Sequence, residues 1–525
     1  FAVLLPAALA MFFLIPAHAA EEGRFDLLEI AVEGNTVLPA LRIETAVYPY
    51  LGENKSIEDV EAARTALEKA YHDGGYLTVF VDIPEQEVQA GKVRLRVTEG
   101  QVERLRVTGS RYFSLGRIRE KTPDLAEGSL PYFPDVQKQL AAVNRGGDRR
   151  VTPVLRPGKT PGKVEVDLKV EDQLPLHGSV ELNDRYSADT TRTRLNANLR
   201  YDNLWQKEHS LSLGIQTAPE DTDESRVFSA TYVWPMENGN YLAAYGVISD
   251  SDVAAVGDVN VIGNGKIAGL RYIMPLRAGP GYFHTMTLGV DYKDFDETVT
   301  LLGADSNSTP ISYLPFSLGY EGSVQGARGL TQFNAFLNFS LRGLADDDVE
   351  CMPGVFLNEF ACKRYLSKAN YAYLRLDMKH THQAVNGWSL FGRVAGQVAS
   401  GPLISNEQFS AGGTDTVRGY TESAASGDDG LVGGLELRTP SLAKQVSERL
   451  DELTLYAFAE GASLNIREPL PGQTDRFDLL AAGLGLRFKG WSGVSGSLDL
   501  AYPFEDTGQV EAGDGRAHFR LAYEW

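Results

Sequence analysis

From about Leu174 to the end of the chain, apolar and polar residues alternate in segments of roughly ten residues, which turn residues separate. Residues 373–379, for example, read YLRLDMK. Because successive side chains of a β-strand point to opposite faces, such a segment predicts a strand with one apolar and one polar face. A dry protein core rarely accepts arginine and aspartate together. The pattern therefore predicts a transmembrane β-barrel, whose strands meet lipid on one face and a wet lumen on the other.

The alternating segments predict about sixteen antiparallel strands. They start near residues 178, 192, 208, 225, 240, 260, 283, 310, 330, 369, 388, 429, 452, 477, 494 and 516. The connections at 296–309, 343–369 and 400–430 are long, whereas others, such as 235–239, are short. Outer-membrane barrels have long extracellular loops and short periplasmic turns, so the long connections are expected outside the cell.

The last segment ends the chain on an aromatic residue. Phe519, Leu521, Tyr523 and Trp525 share one face of the predicted strand. Such an ending resembles the signal that the outer-membrane barrel assembly machinery reads, so this machinery and outer-membrane lipid are expected partners. A β-sandwich that ends on an aromatic residue by chance is the alternative interpretation.

Before the barrel, one order of elements occurs twice. Residues 25–99 predict a strand, a short helix, a longer helix and two further strands. Ser56, followed three residues later by Asp59, predicts a capping box at the start of the longer helix, and Gly74 is expected to end it. The same order recurs over residues 101–171, which indicates an internal repeat of roughly 70 to 75 residues.

Residues 1–20 form the one long apolar run and end in Ala-His-Ala-Ala. An apolar run before a small-x-small site is typical of a secretory signal peptide. A transmembrane anchor is the alternative, although Glu21 and Glu22 follow at once and Pro6 and Pro16 interrupt the run. The mature chain is therefore expected to begin near Glu21, outside the inner membrane.

Charge and motif content narrow the function. The net charge is −20, which disfavours a nucleic-acid partner because such proteins need a basic face for phosphates. Neither a Walker A loop, nor a G-x-S-x-G nucleophile, nor the ligand spacing of a zinc site occurs, so no enzyme, cofactor or metal site is predicted. His380 and His382 lie two residues apart and are interpreted as pore-lining residues rather than as a metal pair. Cys351 and Cys362 can form a disulfide, because an exported chain meets an oxidising compartment.

Two stretches of the front end, residues 25–39 and 67–100, resemble the first POTRA domain of the two-partner secretion transporters of the ShlB/FhaC/HecB family, called TpsB. The Gly-Asn-Thr turn and the closing Val-Thr-Glu-Gly carry this resemblance. It implies two periplasmic α+β POTRA domains, at residues 21–99 and 100–173, before an outer-membrane β-barrel at 174–525. In the family these domains receive an unfolded client. A structural spacer is the alternative role.

Val417, Arg418, Gly419 and Tyr420 match the VRGY motif of the Omp85 superfamily, to which the TpsB transporters belong. The strand count places this motif between strands eleven and twelve, in the sixth outer loop. In the superfamily, the loop folds back into the barrel. The resemblance therefore implies that these four residues lie inside the lumen.

The superfamily pairs the arginine of this motif with an aspartate of an F-x-D-x-G motif on strand thirteen. The corresponding residues here are Phe458, Glu460 and Ala462, so glutamate replaces aspartate and alanine replaces glycine. Glutamate also accepts a bidentate contact from arginine. Strand parity places Phe458 and Glu460 on the lumenal face, so the sequence predicts that Arg418 pairs with Glu460.

The resemblance implies transport of a haemolysin- or adhesin-like TpsA exoprotein from the periplasm to the cell surface, without nucleotide. An assembly factor that inserts barrels into the membrane, from the same superfamily, is the alternative, and a diffusion porin is a third hypothesis. Some family members carry a plug helix before the first POTRA domain. Residues 21–24 leave no room for one, so the sixth loop is expected to limit leakage through the pore.

Overall fold

The structure is a computed structural model of the chain. It describes residues 23–525 except 189, 252, 257–258, 263, 297, 302–304, 309, 342, 344–347 and 353. The signal peptide predicted at residues 1–20 lies outside the described residues. The chain divides into two compact units, the first ending at Leu174 and the second beginning at Pro175.

The first unit contains two α+β repeats. The strands of the first repeat are Phe25–Leu27, Glu29–Glu33, Gly52–Lys55, Val79–Asp82 and Lys92–Glu99, and its helices are Ala40–Val47, the 3-10 turn Tyr48–Tyr50, and Ile57–Asp73. The strands of the second repeat are Gln101–Thr108, Arg149–Pro157 and Lys163–Asp172, and its helices are Leu115–Glu120, the 3-10 turn Pro123–Leu125, and Phe133–Val143.

Both repeats have the same sheet topology, as the internal repeat predicts. In the first, Lys92–Glu99 pairs in parallel with Glu29–Glu33 and antiparallel with Val79–Asp82. In the second, Lys163–Asp172 pairs in the same two ways with Gln101–Thr108 and Arg149–Pro157. Each repeat packs its helices over one sheet face and so has its own apolar core.

The capping box predicted at Ser56 is confirmed at the start of helix Ile57–Asp73. The backbone N–H of Ser56 donates to Asp59 Oδ2 at 2.8 Å. One small element of this repeat is not predicted by the sequence. Gly52–Lys55 pairs antiparallel with Phe25–Leu27, although its Gly-Glu-Asn-Lys sequence lacks the apolar alternation that marks a strand.

The second unit is a closed barrel of sixteen antiparallel strands, which confirms the predicted fold class. We number them in chain order. They are β1 Leu176–Asn183, β2 Arg194–Leu204, β3 His209–Thr217, β4 Ser225–Pro235, β5 Tyr241–Ser251, β6 Gly265–Pro275, β7 Tyr282–Phe295, β8 Ile311–Tyr313 with Phe316–Gln325, β9 Gly329–Phe339, β10 Ala372–Gln383, β11 Ser389–Ala399, β12 Asp429–Arg438, β13 Leu450–Asn465, β14 Arg476–Gly490, β15 Val494–Pro503 and β16 Arg516–Glu524.

Neighbouring strands pair in chain order, and β16 closes the barrel by pairing antiparallel with β1. The exposed leucines of the strands mark the outer face of the barrel: in β12, Leu435 is 58% exposed while its neighbour Glu436 is 4% exposed on the lumenal side. Among the described helices, none is long and apolar enough to cross a membrane.

The long connections carry small elements of their own. Three hairpins extend them: Val253–Val256 with Val259–Ile262, Thr298–Leu301 with Asp305–Ser308, and Asp348–Met352 with Val355–Asn358. The short helices are Glu359–Lys363, Ala443–Val446 and the 3-10 turns Val385–Gly387 and Ser405–Glu407. The first hairpin explains why the sixth strand was predicted near residue 260 but begins at Gly265. A hairpin alternates with the same period as the barrel strand beside it, so periodicity cannot separate them.

The interpretation of His380 and His382 as pore-lining residues is wrong. Both share the parity of Leu376 and Met378 on β10, whose exposed side chains mark the outer face of the barrel. His380 Nδ1 lies 2.8 Å from Thr331 Oγ1 on the neighbouring strand β9. Near the end of β10, its outward face changes from aliphatic to polar aromatic residues, and the polarity of these two histidines resembles that of lumenal residues in the sequence.

Candidate functional site

The residues that connect β11 to β12, 400–428, form the sixth outer loop, which we call loop six. Its middle is a hairpin of Phe409–Ala411 with Ala425–Gly427. The four motif residues follow the first of these strands. Val417 and Tyr420 are fully buried and Arg418 is 3% exposed. Loop six therefore packs inside the barrel, as the resemblance to the superfamily implies.

Glycine allows the sharp turns of loop six. Gly412, Gly413 and Gly419 have φ angles of 109°, 92° and 97°, a region that other residues rarely adopt. At Gly413, a Cβ atom would lie 2.3 Å from the carboxyl carbon of Glu422. Glycine at this position therefore avoids both the strain of the positive φ angle and a clash with Glu422.

Arg418 contacts three carboxylates on three strands. Its Nε donates to Glu460 Oε1 at 3.0 Å, its Nη1 to Asp499 Oδ1 at 2.9 Å and its Nη2 to Glu436 Oε1 at 2.7 Å. Nη2 also contacts Glu460 Oε1, and the backbone N–H of Arg418 donates to Glu460 Oε2 at 2.9 Å. Glu460 lies on β13, Glu436 on β12 and Asp499 on β15, so one guanidinium joins loop six to three strands.

Aromatic rings enclose the same guanidinium. The Arg418 Cζ atom lies 3.6 Å from the ring centroid of Phe458 and 5.7 Å from that of Tyr456. Tyr456 also donates its hydroxyl to Asp499 Oδ1 at 2.7 Å. Cation–π contact and bidentate hydrogen bonding use the planar guanidinium in ways that the lysine ammonium cannot reproduce.

Glu460, which stands where the motif has aspartate, pairs with Arg418. Glu460 uses both carboxylate oxygens toward Arg418, and its side chain is 11% exposed. Phe458 and Glu460 both lie on the lumenal face of β13, where strand parity places them. The structure therefore brings together the motif arginine and both wall residues that the sequence singles out.

Two members of the site were not predicted: Glu436 and Asp499. Their lumenal parity was readable from the sequence, because each alternates with leucines on its strand. Many acidic residues share that parity, however. The choice among them depends on strand register, which places Glu436 opposite Phe458 and aligns Tyr456, Gly485 and Asp499 across three strands.

Gly419 attaches loop six to the last strand and the seam of the barrel, and Tyr420 attaches it to β14 and to the connection that follows β15. The backbone N–H of Gly419 donates to His518 Nε2 at 2.9 Å. The proton of this ring is therefore on Nδ1, which lies 2.8 Å from Asp184 Oδ2. His518 lies on β16 and Asp184 directly follows β1. Tyr420 donates its hydroxyl to the carbonyl oxygens of Leu480 and Glu505 at 3.1 and 3.0 Å.

A disulfide joins Cys351 to Cys362 in the connection between β9 and β10. Two residues later, Arg364 Nη2 donates to Asp428 Oδ2 at 2.7 Å. Asp428 is fully buried and ends loop six. The disulfide-bonded connection between β9 and β10 therefore contacts the base of loop six.

Sequence models of two protein families match the chain. The POTRA domain, ShlB-type, matches residues 25–100, and the haemolysin secretion/activation protein ShlB/FhaC/HecB matches residues 162–488. The chain is 24% identical over 462 residues to the outer membrane transporter CdiB of Dickeya dadantii, covering 84% of this chain and 76% of that protein. It is 20% identical over 508 residues to the heme/hemopexin transporter protein HuxB of Haemophilus influenzae (strain 86-028NP), covering 93% and 86% respectively.

Solved structures share the fold. CdiB from Escherichia coli aligns with a TM-score of 0.62 at 19% identity, over 97% of this chain and 92% of that one. BamA from Haemophilus ducreyi, lacking its POTRA domains 1–3, aligns with a TM-score of 0.56 at 13% identity, over 96% of this chain and all of that one.

The family model over the barrel and both named relatives are secretion proteins or transporters. Together with the barrel and the front-end repeats, they place the protein in the outer membrane, with its POTRA domains in the periplasm, as a channel that secretes a partner protein. The chain belongs to the haemolysin secretion/activation family ShlB/FhaC/HecB, the TpsB two-partner secretion transporters of the Omp85 superfamily.

Proposed function

We propose that this protein exports a haemolysin- or adhesin-like TpsA exoprotein, which the POTRA domains at residues 21–99 and 100–173 capture and the barrel at 174–525 passes to the cell surface. The observation that carries the proposal is the burial of Arg418 among three carboxylates of the lumenal wall. A diffusion porin needs neither periplasmic repeats nor a VRGY loop. The related CdiB and HuxB proteins are themselves named as transporters.

Capture of the client is proposed to occur by strand addition. Val79–Asp82 is an edge strand of its sheet, where within the described residues it pairs with Lys92–Glu99 alone. Its Phe80 is 49% exposed. An extended client can pair with such an edge through main-chain hydrogen bonds, while exposed side chains add contact area.

Transport uses no nucleotide in this proposal, because the periplasm holds none, and folding of the client outside the cell supplies the direction. Loop six limits leakage between transport events, and Arg418 holds it against the wall. The terminal strand, ending at Trp525, is the part that the barrel assembly machinery reads when the transporter itself is inserted into outer-membrane lipid.

A second candidate function is the insertion of other barrels into the outer membrane. The shared fold with BamA favours it. The curated relatives CdiB and HuxB are named as transporters, which favours secretion.

Deletion of the gene for this protein distinguishes the two functions. For secretion, we expect one large exported protein to disappear from the culture supernatant and to return with the complemented gene, while the other outer-membrane barrels keep their levels. The gene of that client is expected nearby and should encode a β-helix-forming protein. A loss of many barrels from the outer membrane would instead support assembly, and an unchanged supernatant would contradict secretion.

A further inference from the structure

Loop six has a second buried attachment, eleven residues before Arg418, at Glu407. Glu407 ends the 3-10 turn Ser405–Glu407, on the arm of the loop that leaves β11. Its side chain is 1% exposed. Leu403 and Ile404 precede it and pack in an apolar cluster with aromatic residues of the wall. This arm is therefore part of the packed interior.

Three donors from three strands surround the Glu407 carboxylate. Lys293 Nζ and the Tyr313 hydroxyl each donate to Oε1 at 2.6 Å, and the Tyr373 hydroxyl donates to Oε2 at 2.7 Å. Lys293 lies on β7, Tyr313 on β8 and Tyr373 on β10. These strands differ from β12, β13 and β15, which contact Arg418. Loop six is thus held on two separate arcs of the barrel wall.

The strand between these arcs connects the two arms of the loop. Gln397 on β11 donates its amide to the backbone oxygens of Glu407 at 3.2 Å and Asp428 at 3.1 Å. The backbone N–H of Leu403 also donates to Asp428 Oδ1, at 2.8 Å. The base of loop six is therefore cross-linked by hydrogen bonds, and the hairpin beyond it carries Arg418.

A carboxylate in this position is not explained by packing. The surrounding cluster is aromatic and aliphatic, and an apolar side chain of similar volume would fill the space without the cost of desolvating a charge. The carboxylate is tolerated because both of its oxygens are satisfied, one of them by a charged lysine. Such a group fixes one geometry, since a displaced arm would leave both Glu407 and Lys293 without their partners.

We propose that Glu407 is a positioning residue that fastens the first arm of loop six to β7, β8 and β10, and so keeps the loop in the lumen between transport events. The proposal rests on the proposed function in taking loop six as the element that limits leakage. Motion during transport is then confined to the hairpin beyond Glu407, while the base of the loop stays in place.

The test uses the full-length transporter in two measurements that need no client. A nitroxide label on Ser405→Cys, an exposed position of the arm, reports the order of the arm, and planar-bilayer recordings report single-channel conductance. The native cysteines are paired with each other and so do not take the label. The variants are Glu407→Gln, which removes the charge at nearly constant shape, and Glu468→Gln as an exposed control in a neighbouring loop.

We expect Glu407→Gln to increase the mobility of the label and to raise the single-channel conductance. We expect Glu468→Gln to leave both quantities at their parental values. Only a joint rise supports the proposal; a folded Glu407→Gln transporter that keeps either parental value overturns it. If Glu407 only stabilised the fold, Glu407→Gln would lower the melting temperature of the barrel without changing the mobility of the label. If Glu407→Gln fails to fold, Tyr373→Phe replaces it as the test variant, because it removes only one hydrogen-bond donor to Glu407. Label mobility and conductance should then both rise, but by less. A parental transporter that secretes nothing would count against the proposed function alone.

Discussion

Arg418 is held by charge, hydrogen bonds and aromatic contact together, and it fastens the hairpin of loop six to the barrel wall. Its side chain and those of Glu436, Glu460 and Asp499 are all about one-tenth exposed or less. Charges in such surroundings are stable only while paired. Arg438 and Arg487 also pair with Glu436, so removal of Arg418 mainly takes away the cation that Glu460 and Asp499 contact and should release the hairpin of loop six from the wall.

Arg418→Ala is expected to reduce secretion strongly while the barrel remains folded. Truncation of one partner in a buried ion pair costs about 3–5 kcal/mol, which should undock the hairpin of loop six, whereas the strand ladders of the barrel do not depend on this side chain. Client in the supernatant, together with the gel mobility of the unheated barrel, measures both effects. Arg476→Ala is the matched control, because Arg476 forms an exposed ion pair with Asp478 on β14. Parental secretion by Arg418→Ala would contradict the role assigned to the loop.

Glu460 allows a second prediction at the residue scale. Glu460→Asp restores the residue of the superfamily motif and keeps the charge, so we expect it to retain most secretion. Glu460→Gln keeps the length but loses the charge opposite the guanidinium, so we expect a larger loss. External protease, applied to whole cells, should cleave loop six faster in Glu460→Gln than in Glu460→Asp. The reverse order would show that side-chain length, not charge, determines docking.

The sequence could predict the pair of Arg418 and Glu460 because a motif marks one partner and strand parity marks the other. It could not predict Glu436, Asp499 or His518. Strand parity places these three residues on the lumenal face. It places Glu452 of β13 and Lys489 of β14 on the same face, so parity alone does not identify the residues that contact the loop. Which lumenal residue meets the loop depends on strand register and on the path of the loop, and neither leaves a periodic signal in the sequence.

At the scale of elements, the helix Ile57–Asp73 shows how a local signal fixes a structure. Its capping box satisfies a backbone N–H at the helix start, and its buried face of Val60, Leu67 and Tyr71 packs in the core of the first repeat. Both were readable from the sequence. The hairpins of the outer loops were not, because short strands beside a barrel strand have the same alternation and differ only in their partners.

The helix cap predicts a dependence on pH. The hydrogen bond from the Ser56 backbone, with the nearby Lys55 charge, lowers the pKa of Asp59 from its ordinary value of 3.8. A carboxyl with a lowered pKa stabilises the folded state above its ordinary pKa, and this contribution is lost as the pH falls through the folded value. Hydrogen exchange of the first helical turn in the full-length protein should therefore accelerate below pH 3.8 beyond the intrinsic trend.

Two substitutions control for this helix cap. Asp59→Asn should remove the excess acceleration at low pH, since the group no longer titrates. Ser56→Ala should weaken protection at every pH, because loss of an N-cap residue costs about 0.5–2 kcal/mol. An Asp59→Asn protein that keeps the parental pH profile would assign the effect to another group.

At the scale of the whole molecule, closure of the barrel depends on the first and last strands. Their ladder runs from Arg520 opposite Asn183 to Glu524 opposite Ser179. Beyond it, Gly178 and Trp525 exchange two backbone hydrogen bonds, of 3.2 and 3.0 Å. The sixteen strands and their order followed from the sequence, since alternation and loop lengths specify them. The details of closure did not follow from the sequence, because they depend on which residues of the first and last strands pair when the barrel forms.

Gly178 is the residue at which closure can be tested. A Cβ atom added there would lie 2.1 Å from the indole of Trp525, so Gly178→Ala should displace the indole and cost about 1–3 kcal/mol, as overpacking does. The measurement is the temperature at which the purified barrel loses its compact gel mobility, which we expect to fall. Gly246→Ala on β5 is the control, since its added Cβ would meet its nearest atom at 3.8 Å. In a Trp525→Ala background the Gly178→Ala penalty should vanish, because the atoms that clash are gone. An equal penalty in both backgrounds would show that the alanine acts through the β1 backbone rather than through the contact that closes the barrel.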